Sequence, residues 1–316
     1  MNLEALPDAE KFAVKPEFEK RYREFLGSRY DEYLKYSLSY ITKSVRVNTL
    51  KSTVAEVKER LEKQNFTLKQ VPWCKEGFWV KGDRTDLGNL TEHFLGYIYI
   101  QEAASMIPPV VLNPKPGEVV LDTAASPGSK TTQMAAMMQN KGIIIANDIS
   151  GARMKPLGIN VQRVGALNIV ITQMFGQQFG RRTIKFDKIL LDAPCSGTGT
   201  IRRNPETLQM WNPGMITRLS RTQKSLIESG FNALKSEGTM VYSTCSNEPL
   251  ENEEVINHLL EKFPAVLEKV ELPINKSKPI LEFEGKTYSD EIKKCLRIWP
   301  QDNNTEGFFV AKIRKL

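Results

Sequence analysis

Histidine is scarce in this 316-residue chain: only His93 and His258 occur. A histidine-built metal centre or a Ser–His–Asp arrangement is therefore poorly supplied. Cysteine is almost as sparse. Cys74, Cys195, Cys245 and Cys295 stand too far apart for a CxxC metal pattern, and scattered thiols are what a reducing compartment leaves unpaired. No apolar run approaches the ~20 residues of a bilayer span. The opening "MNLEALPDAEKF" is acidic and lacks the apolar stretch of a secretory signal. The expectation is a cytoplasmic protein with no membrane partner and no metal. The glycine patterns of nucleotide sites fail as well. In "AASPGSKTT" a Walker loop needs glycine where Ser129 and Ala124 stand, and GxGxxG is absent, so a P-loop hydrolase is disfavoured.

What is present is 41% hydrophobic and 26% charged residues, the balance of a globular protein. The formal net charge of +7 leans towards a polyanionic partner such as nucleic acid. Residues 1–40 read as amphipathic helices rich in Tyr and Phe. "SVRVNTLK", "STVAEVKERLEKQ", "FTLKQV" and "GFWVKG" then give strand, helix, strand, strand. This predicts a small N-terminal α+β unit over 1–92, in which Phe78, Trp79 and neighbouring lysines either stack on RNA or, for Trp79, pack inside.

Over 93–316 strands alternate with helices. "GEVVLDTA" ends at Asp122, "GIIIANDIS" at Asp148 with Ser150 as a helix cap, and "FDKILLDAP" at Asp192. "NIVITQMF" and "TMVYSTCS" are further strands, and a long helix is expected to end at Gly238. Two-sided apolar strands joined by helices predict a doubly wound, Rossmann-like parallel sheet. Such sheets bind ligands beyond the carboxyl ends of their strands, so Asp122, Asp148, Asp192 and "STCS" should meet in one crevice.

A tight turn of small residues after the first strand brings backbone N–H groups to a helix start. Asp148 then ends the next strand at the distance expected of a ribose-binding carboxylate. S-adenosylmethionine fits, since it needs no pyrophosphate cradle. A lone cysteine is ordinarily a small buried hydrophobe, the reading kept for Cys74 and Cys295. Cys195 and Cys245 differ, because each follows a strand end that faces the crevice. Methylation of a pyrimidine at carbon 5 uses such groups. A thiolate adds to carbon 6, a carboxyl group stabilises the ring at nitrogen 3, and a sulfonium delivers the methyl group to carbon 5. The thiolate needs nearby positive charge, for which Lys130 is the candidate.

With "DTAASPGSKTTQ", "LLDAPCSGTGT" and "VYSTCSNEPLENEE" in view, the chain resembles the Nop/Sun (RsmB/NOL/NSUN-type) family of RNA cytosine-5 methyltransferases, most of all an archaeal-type tRNA enzyme. "RVNTLK", "YIQEAASMIP" and "LRIWPQDNNTEGFFVAKIRK" extend the likeness over residues 40–316. The resemblance implies Cys245 as nucleophile, Cys195 as the thiol of product release, Asp192 at the cytosine ring and Lys130 nearby. It implies S-adenosyl-L-methionine against Ala124, Ala125, Ser126, Pro127, Gly128, Ser129 and Lys130, with Asp148, Arg153 and Asp192 also in contact. Phe175 stands where the family carries an Asp for the adenine; a phenyl ring can stack but cannot accept a hydrogen bond. The small unit resembles the family's RNA-recognition-like extension. Arg181–Arg182, Arg202–Arg203 and Lys312–Arg314–Lys315 are expected to lie partly on an RNA-facing surface. The implied substrate is tRNA, with ribosomal RNA as an alternative, and a non-catalytic RNA-binding or assembly factor as the other-class alternative.

Overall fold

The computed structural model describes residues 3–7 and 9–316; residues 1, 2 and 8 of the expected N-terminal unit lie outside them. Four short strands form a small antiparallel sheet: β1 (Ser44–Val47), β2 (Thr67–Gln70), β3 (Gly77–Lys81) and β4 (Ile98–Ile100), in the order β2-β3-β1-β4. A capping box starts the helix Val54–Glu62. Thr53 accepts from the Glu56 N–H, and Glu56 accepts in turn from the Thr53 N–H at 2.9 Å. That helix buries Val57 and Leu61 with Val45, Val47, Phe78 and Val80. Because β4 pairs with β1, the small sheet runs past the expected boundary at 92.

The large sheet carries β5 (Val119–Asp122), β6 (Ile143–Asn147), β7 (Ile169–Thr172), β8 (Phe186–Asp192), β9 (Leu234–Thr244) and β10 (Ala265–Glu268). A two-stranded hairpin of β11 (Glu282–Phe283) and β12 (Lys286–Thr287) precedes β13 (Leu296–Ile298) and β14 (Phe308–Lys315). The order is β10-β14-β9-β8-β5-β6-β7, with β13 added on β14. The five consecutive strands β7, β6, β5, β8 and β9 are parallel, and β14 inserts antiparallel between β9 and β10. Strand order reverses between β5 and β8, so the ligand crevice lies outside their carboxyl ends. One face of the sheet is covered by the helices Ile107–Leu112 and Ser129–Met137, the other by Pro213–Ala233 and Glu253–Lys262.

Two local expectations are corrected. The long helix ends at Ala233, not Gly238, because buried Leu234 already pairs with Phe186 in the sheet. The residues after it bulge before Thr239 pairs with Lys188. Ser150 does stand at the start of the helix Gly151–Val164, but its hydroxyl caps nothing; its backbone N–H is held by Asp148 Oδ1 at 3.0 Å.

The opening helices, Pro16–Leu26 and Tyr30–Ser37, do not pack in the small sheet's core. Their Phe18, Tyr22, Tyr30 and Tyr33 join Leu208, Trp211, Ile216 and Trp299 of the large unit. Phe18 stacks on Tyr22 at 3.9 Å, and Trp299 meets Tyr22 edge-on at 6.1 Å. Each such pair contributes ~0.5–1.5 kcal/mol beyond its buried area. Buried Glu248 fastens this cluster to the loop after β9, accepting from the Tyr22 hydroxyl at 3.1 Å, Trp211 Nε1 at 2.8 Å and Arg21 Nη1 at 3.2 Å. The small sheet is tied in separately. Arg46 of β1 donates to Gln101 Oε1 at 2.8 Å and Thr132 Oγ1 at 2.9 Å, and Asn48 reaches the Val164 carbonyl at 2.8 Å.

Candidate active site

Strands β8 and β9 are parallel with Asp192 opposite Ser243, so both release the chain at the same edge. Cys195 and Cys245 follow within a few residues, and their sulfurs stand 3.4 Å apart. The backbone is locked here. Gly199 N–H donates to the Cys245 carbonyl at 2.9 Å, and Gly307 N–H donates to the Gly199 carbonyl at 2.9 Å. A methyl group on Gly199 would sit 2.2 Å from the Gly307 oxygen and 2.8 Å from that of Cys245, so only glycine fits. The hydrogen bond it shares with Cys245, then burial, pushes the Cys195 thiol pKa well up. Cys195 is thereby held as a thiol.

Lys130 opens the helix after the small-residue turn and forms an ion pair with Asp192, Nζ to Oδ2, at 2.7 Å. Burial draws the ammonium pKa down, but the Asp192 carboxylate and then the Cys245 sulfur outweigh it, and the net displacement is upward. A positive charge thus persists beside the thiol, the condition that favours thiolate. Ser243 donates to Asp192 Oδ1 at 2.8 Å. Under this pair lies Asp122, which accepts from Thr131 Oγ1 at 2.7 Å. Burial pushes its pKa up to about 7 against the Thr131 hydrogen bond.

The turn 124–130 lies where expected. Gly128 adopts φ +103°, and Leu157 would crowd a side chain there at 3.1 Å. Ala125 N–H donates to the Asn147 carbonyl at 2.7 Å, binding the turn to β6. Asp148, 1% exposed, accepts from Ser126 N–H at 3.3 Å and has Arg153 Nη1 at 3.6 Å. Arg153 also donates to the Ser126 carbonyl at 2.5 Å and receives the Ser126 hydroxyl on its own carbonyl at 2.7 Å. Beyond Asp148 the rim is apolar and open: Ile149 is 55% and Phe175 57% exposed. This donor set fits a nucleoside cofactor. Asp148 retains unused lone pairs for a ribose diol, Arg153 is the long, half-exposed neighbour that can give way to it, and Ile149 and Phe175 offer apolar surface for a base. The first N–H groups of the helix Ser129–Met137 have no intrahelical acceptor and begin at this turn.

Other expected residues separate by burial. Cys74 and Cys295 are buried, with burial pushing their thiols up, that of Cys74 to about 11. Phe78 is buried, so it is core rather than a stacking platform; half-buried Trp79 packs edge-on against Trp73 at 5.5 Å with Lys69 over its ring. Arg202, expected on an RNA-facing surface, is 2% exposed and donates to the carbonyls of Ser39, Tyr40 and Thr305. Lys312 pairs with Glu268, Arg314 with Glu237 and Glu268, and Lys315 with the carbonyls of Phe231 and Leu234. Arg181 and Arg182 are exposed.

Several site residues escape motif reasoning. Glu251, at 0% exposure, accepts from the residues next to both crevice cysteines. Glu253 forms a buried bidentate pair with Arg297 at 2.8 and 2.6 Å. Glu306, beside Arg203 at 3.1 Å, has its pKa pushed up to about 8 by burial and then by Glu102. For Glu251 and Glu253 the available signal was the density of carboxylates in "NEPLENEE", directly after a strand end. Among the described residues, no cluster of three or more His, Cys, Asp or Glu is placed to hold a metal ion.

The profile of the 16S rRNA methyltransferase RsmB/F family matches residues 109–314, and that of the N-terminal domain of 16S rRNA methyltransferase RsmF matches 14–103. The chain belongs to the RsmB/F methyltransferase family. The tRNA (cytosine(49)-C(5))-methyltransferase of Pyrococcus abyssi is 50% identical over 286 residues, covering 90% of this chain and 92% of that one. Ribosomal RNA small subunit methyltransferase F of Shewanella frigidimarina is 44% identical over 288 residues. This RsmB/F member spans only 58% of that bacterial enzyme, with 90% of its own length matched. The crystal structure of NSun6 from Pyrococcus horikoshii with SFG, an S-adenosylmethionine analogue, superposes with a TM-score of 0.82 at 25% identity, covering 99% of both chains.

Proposed function

We propose that this RsmB/F-family protein is an S-adenosylmethionine-dependent RNA cytosine-5 methyltransferase acting on tRNA. The observation that carries the reading is the thiol pair at 3.4 Å beside the Lys130–Asp192 ion pair. A packing role for cysteine does not require two sulfurs and a buried ammonium at one strand edge.

When bound, S-adenosylmethionine supplies an electrophilic methyl group. Its methionine end would lie along residues 124–130, its ribose on Asp148 with Arg153, and its base against Phe175, with Asp192 close by. Cys245, as thiolate beside Lys130, bonds to carbon 6 of the cytosine. Asp192, held in place by Lys130 and Ser243, is the carboxyl group that contacts the cytosine ring near nitrogen 3, with the Lys130 ammonium beside it. After carbon 5 is methylated it gives its proton to solvent water as the Cys245–carbon 6 bond breaks and Cys245 leaves as thiolate. Cys195, held as a thiol against Cys245, assists that elimination. The target base has to be unpaired or turned out of its stack, which costs a few kcal/mol and less in a loop.

The coverage of 92% of the archaeal tRNA enzyme, against 58% of the bacterial ribosomal one, favours tRNA. Ribosomal RNA is the second reading, favoured by the family's 16S rRNA description. Transfer of labelled methyl groups to total tRNA and to rRNA, followed by mapping of the modified position, distinguishes them. Label in rRNA alone would overturn the tRNA assignment, and label in neither would overturn the enzyme.

A further inference from the structure

The residues that follow the two thiols are fastened to a single carboxylate. Ser196, next to Cys195, donates its backbone N–H to Glu251 Oε1 at 2.9 Å and its hydroxyl to Oε2. Ser246, next to Cys245, donates its hydroxyl to the same Oε2 at 2.5 Å. Gln223 Nε2 completes the set, reaching Oε1 at 3.0 Å while also holding the Pro194 carbonyl at 2.8 Å. The backbone is fixed too, since the Tyr242 hydroxyl donates to the Glu251 carbonyl at 2.5 Å. A carboxylate stripped of water is costly unless its lone pairs are filled, and here four donors fill them.

We propose that Glu251 is a positioning residue: by holding Ser196 and Ser246 on one carboxylate it sets the separation of the Cys195 and Cys245 sulfurs. The proposal rests on the reading of these two thiols as the reacting pair, but its test does not require methyl transfer. Glu251 makes no hydrogen bond to either sulfur and has no exposed surface; its charge also raises the Cys195 pKa, so a variant that keeps the contacts and removes the charge separates that effect from geometry. An amide can substitute for much of it. With the Gln oxygen at the Oε1 place, Ser196 N–H and Gln223 keep their acceptor. The new N–H₂ then faces two hydroxyls that stand 3.1 Å apart and can turn to accept.

The spacing is read with phenylarsine oxide on the full-length protein. Its arsenic forms two As–S bonds while both thiol protons leave with the oxide oxygen as one water, and arsenic keeps its oxidation state. The ring closes only on neighbouring sulfurs, and Cys245→Ala gives the background. Glu251→Ala should weaken capture roughly tenfold to a hundredfold, whereas Glu251→Gln should stay within about threefold of the parent protein. In methyl transfer Glu251→Ala should lower kcat with the KM for RNA unchanged. A folded Glu251→Ala that captures arsenic as tightly as the parent overturns the proposal, whatever happens to turnover. Should that variant not fold, Ser246→Ala decides: a drop of about threefold supports the proposal and parental capture overturns it. Normal methyl transfer by Cys245→Ala would instead remove the thiol reading, leaving the arsenic result as a statement about geometry alone.

Discussion

On the thiol side of the crevice, the residues next to Cys195 and Cys245 are held by Glu251 and Asn252, both without exposed surface, and by a glycine contact that admits no side chain. On the cofactor side, Asp148 gives way to a rim where Ile149 and Phe175 are more than half exposed. Both sides sit at the ends of parallel strands in one sheet, so position in the fold does not account for the difference. The work asked of each side does. Bond making between sulfur and carbon tolerates little displacement, whereas a cofactor held by several dispersed contacts can lose one and still bind.

That contrast is open to attack, beginning where the largest effect is expected. Cys245→Ala should abolish methyl incorporation and leave no covalent RNA complex, while Cys195→Ala should accumulate an RNA adduct that survives a denaturing gel. Loss of both adduct and turnover in Cys195→Ala would break the division of labour between the sulfurs. Next comes Gly199→Ala, which forces the Gly307 and Cys245 carbonyls apart. It should cost about 1–3 kcal/mol in chemical denaturation and lower kcat more than cofactor affinity. An unchanged kcat would show that the thiol side is not rigid.

A smaller effect is expected from pH. Glu306, in the segment that holds Gly199, binds its proton more tightly when folded, with a pKa raised from 4.5 to about 8. Its contribution to stability is therefore full below the unfolded value and is lost as pH rises through about 8. Thermal melts should show Glu306→Gln matching the parent near ~pH 4.5 and exceeding it near ~pH 9; parallel curves at both would refute the shift. The smallest effect belongs to the cofactor rim. Phe175→Asp introduces the carboxylate that the family resemblance implies at this position and should tighten S-adenosylmethionine binding about threefold to tenfold by calorimetry, leaving arsenic capture by the thiol pair unchanged. A loss of affinity would show that the phenyl ring already makes the better contact.

The parts of this site that were legible are those where pattern and chemistry coincide. Apolar runs ending in Asp122, Asp148 and Asp192 mark strand ends, and topology then brings them to one edge. Glu251 was not legible, because local sequence cannot tell a carboxylate filled by four buried donors from one in water. Arg202 misled for the same reason: beside Arg203 it reads as a basic surface pair, yet it is used up on the carbonyls of Ser39, Tyr40 and Thr305. The helix end at Ala233 depends on Leu234 finding Phe186 across the sheet, a contact between distant residues that outweighs the glycine signal at 238. The opening helices were legible as helices, but which unit they pack on was not.

That attachment has a practical edge. Since Glu248 couples Tyr22 to the loop bearing Cys245, and Arg46 and Asn48 moor the small sheet to the large one, the first hundred residues are woven in at two places. Trimming the chain before β1 to obtain a lean catalytic fragment would leave Trp211 and Trp299 bare and Glu248 short of partners. The opening segment is flooring for the reaction chamber, and a minimal enzyme has to keep it.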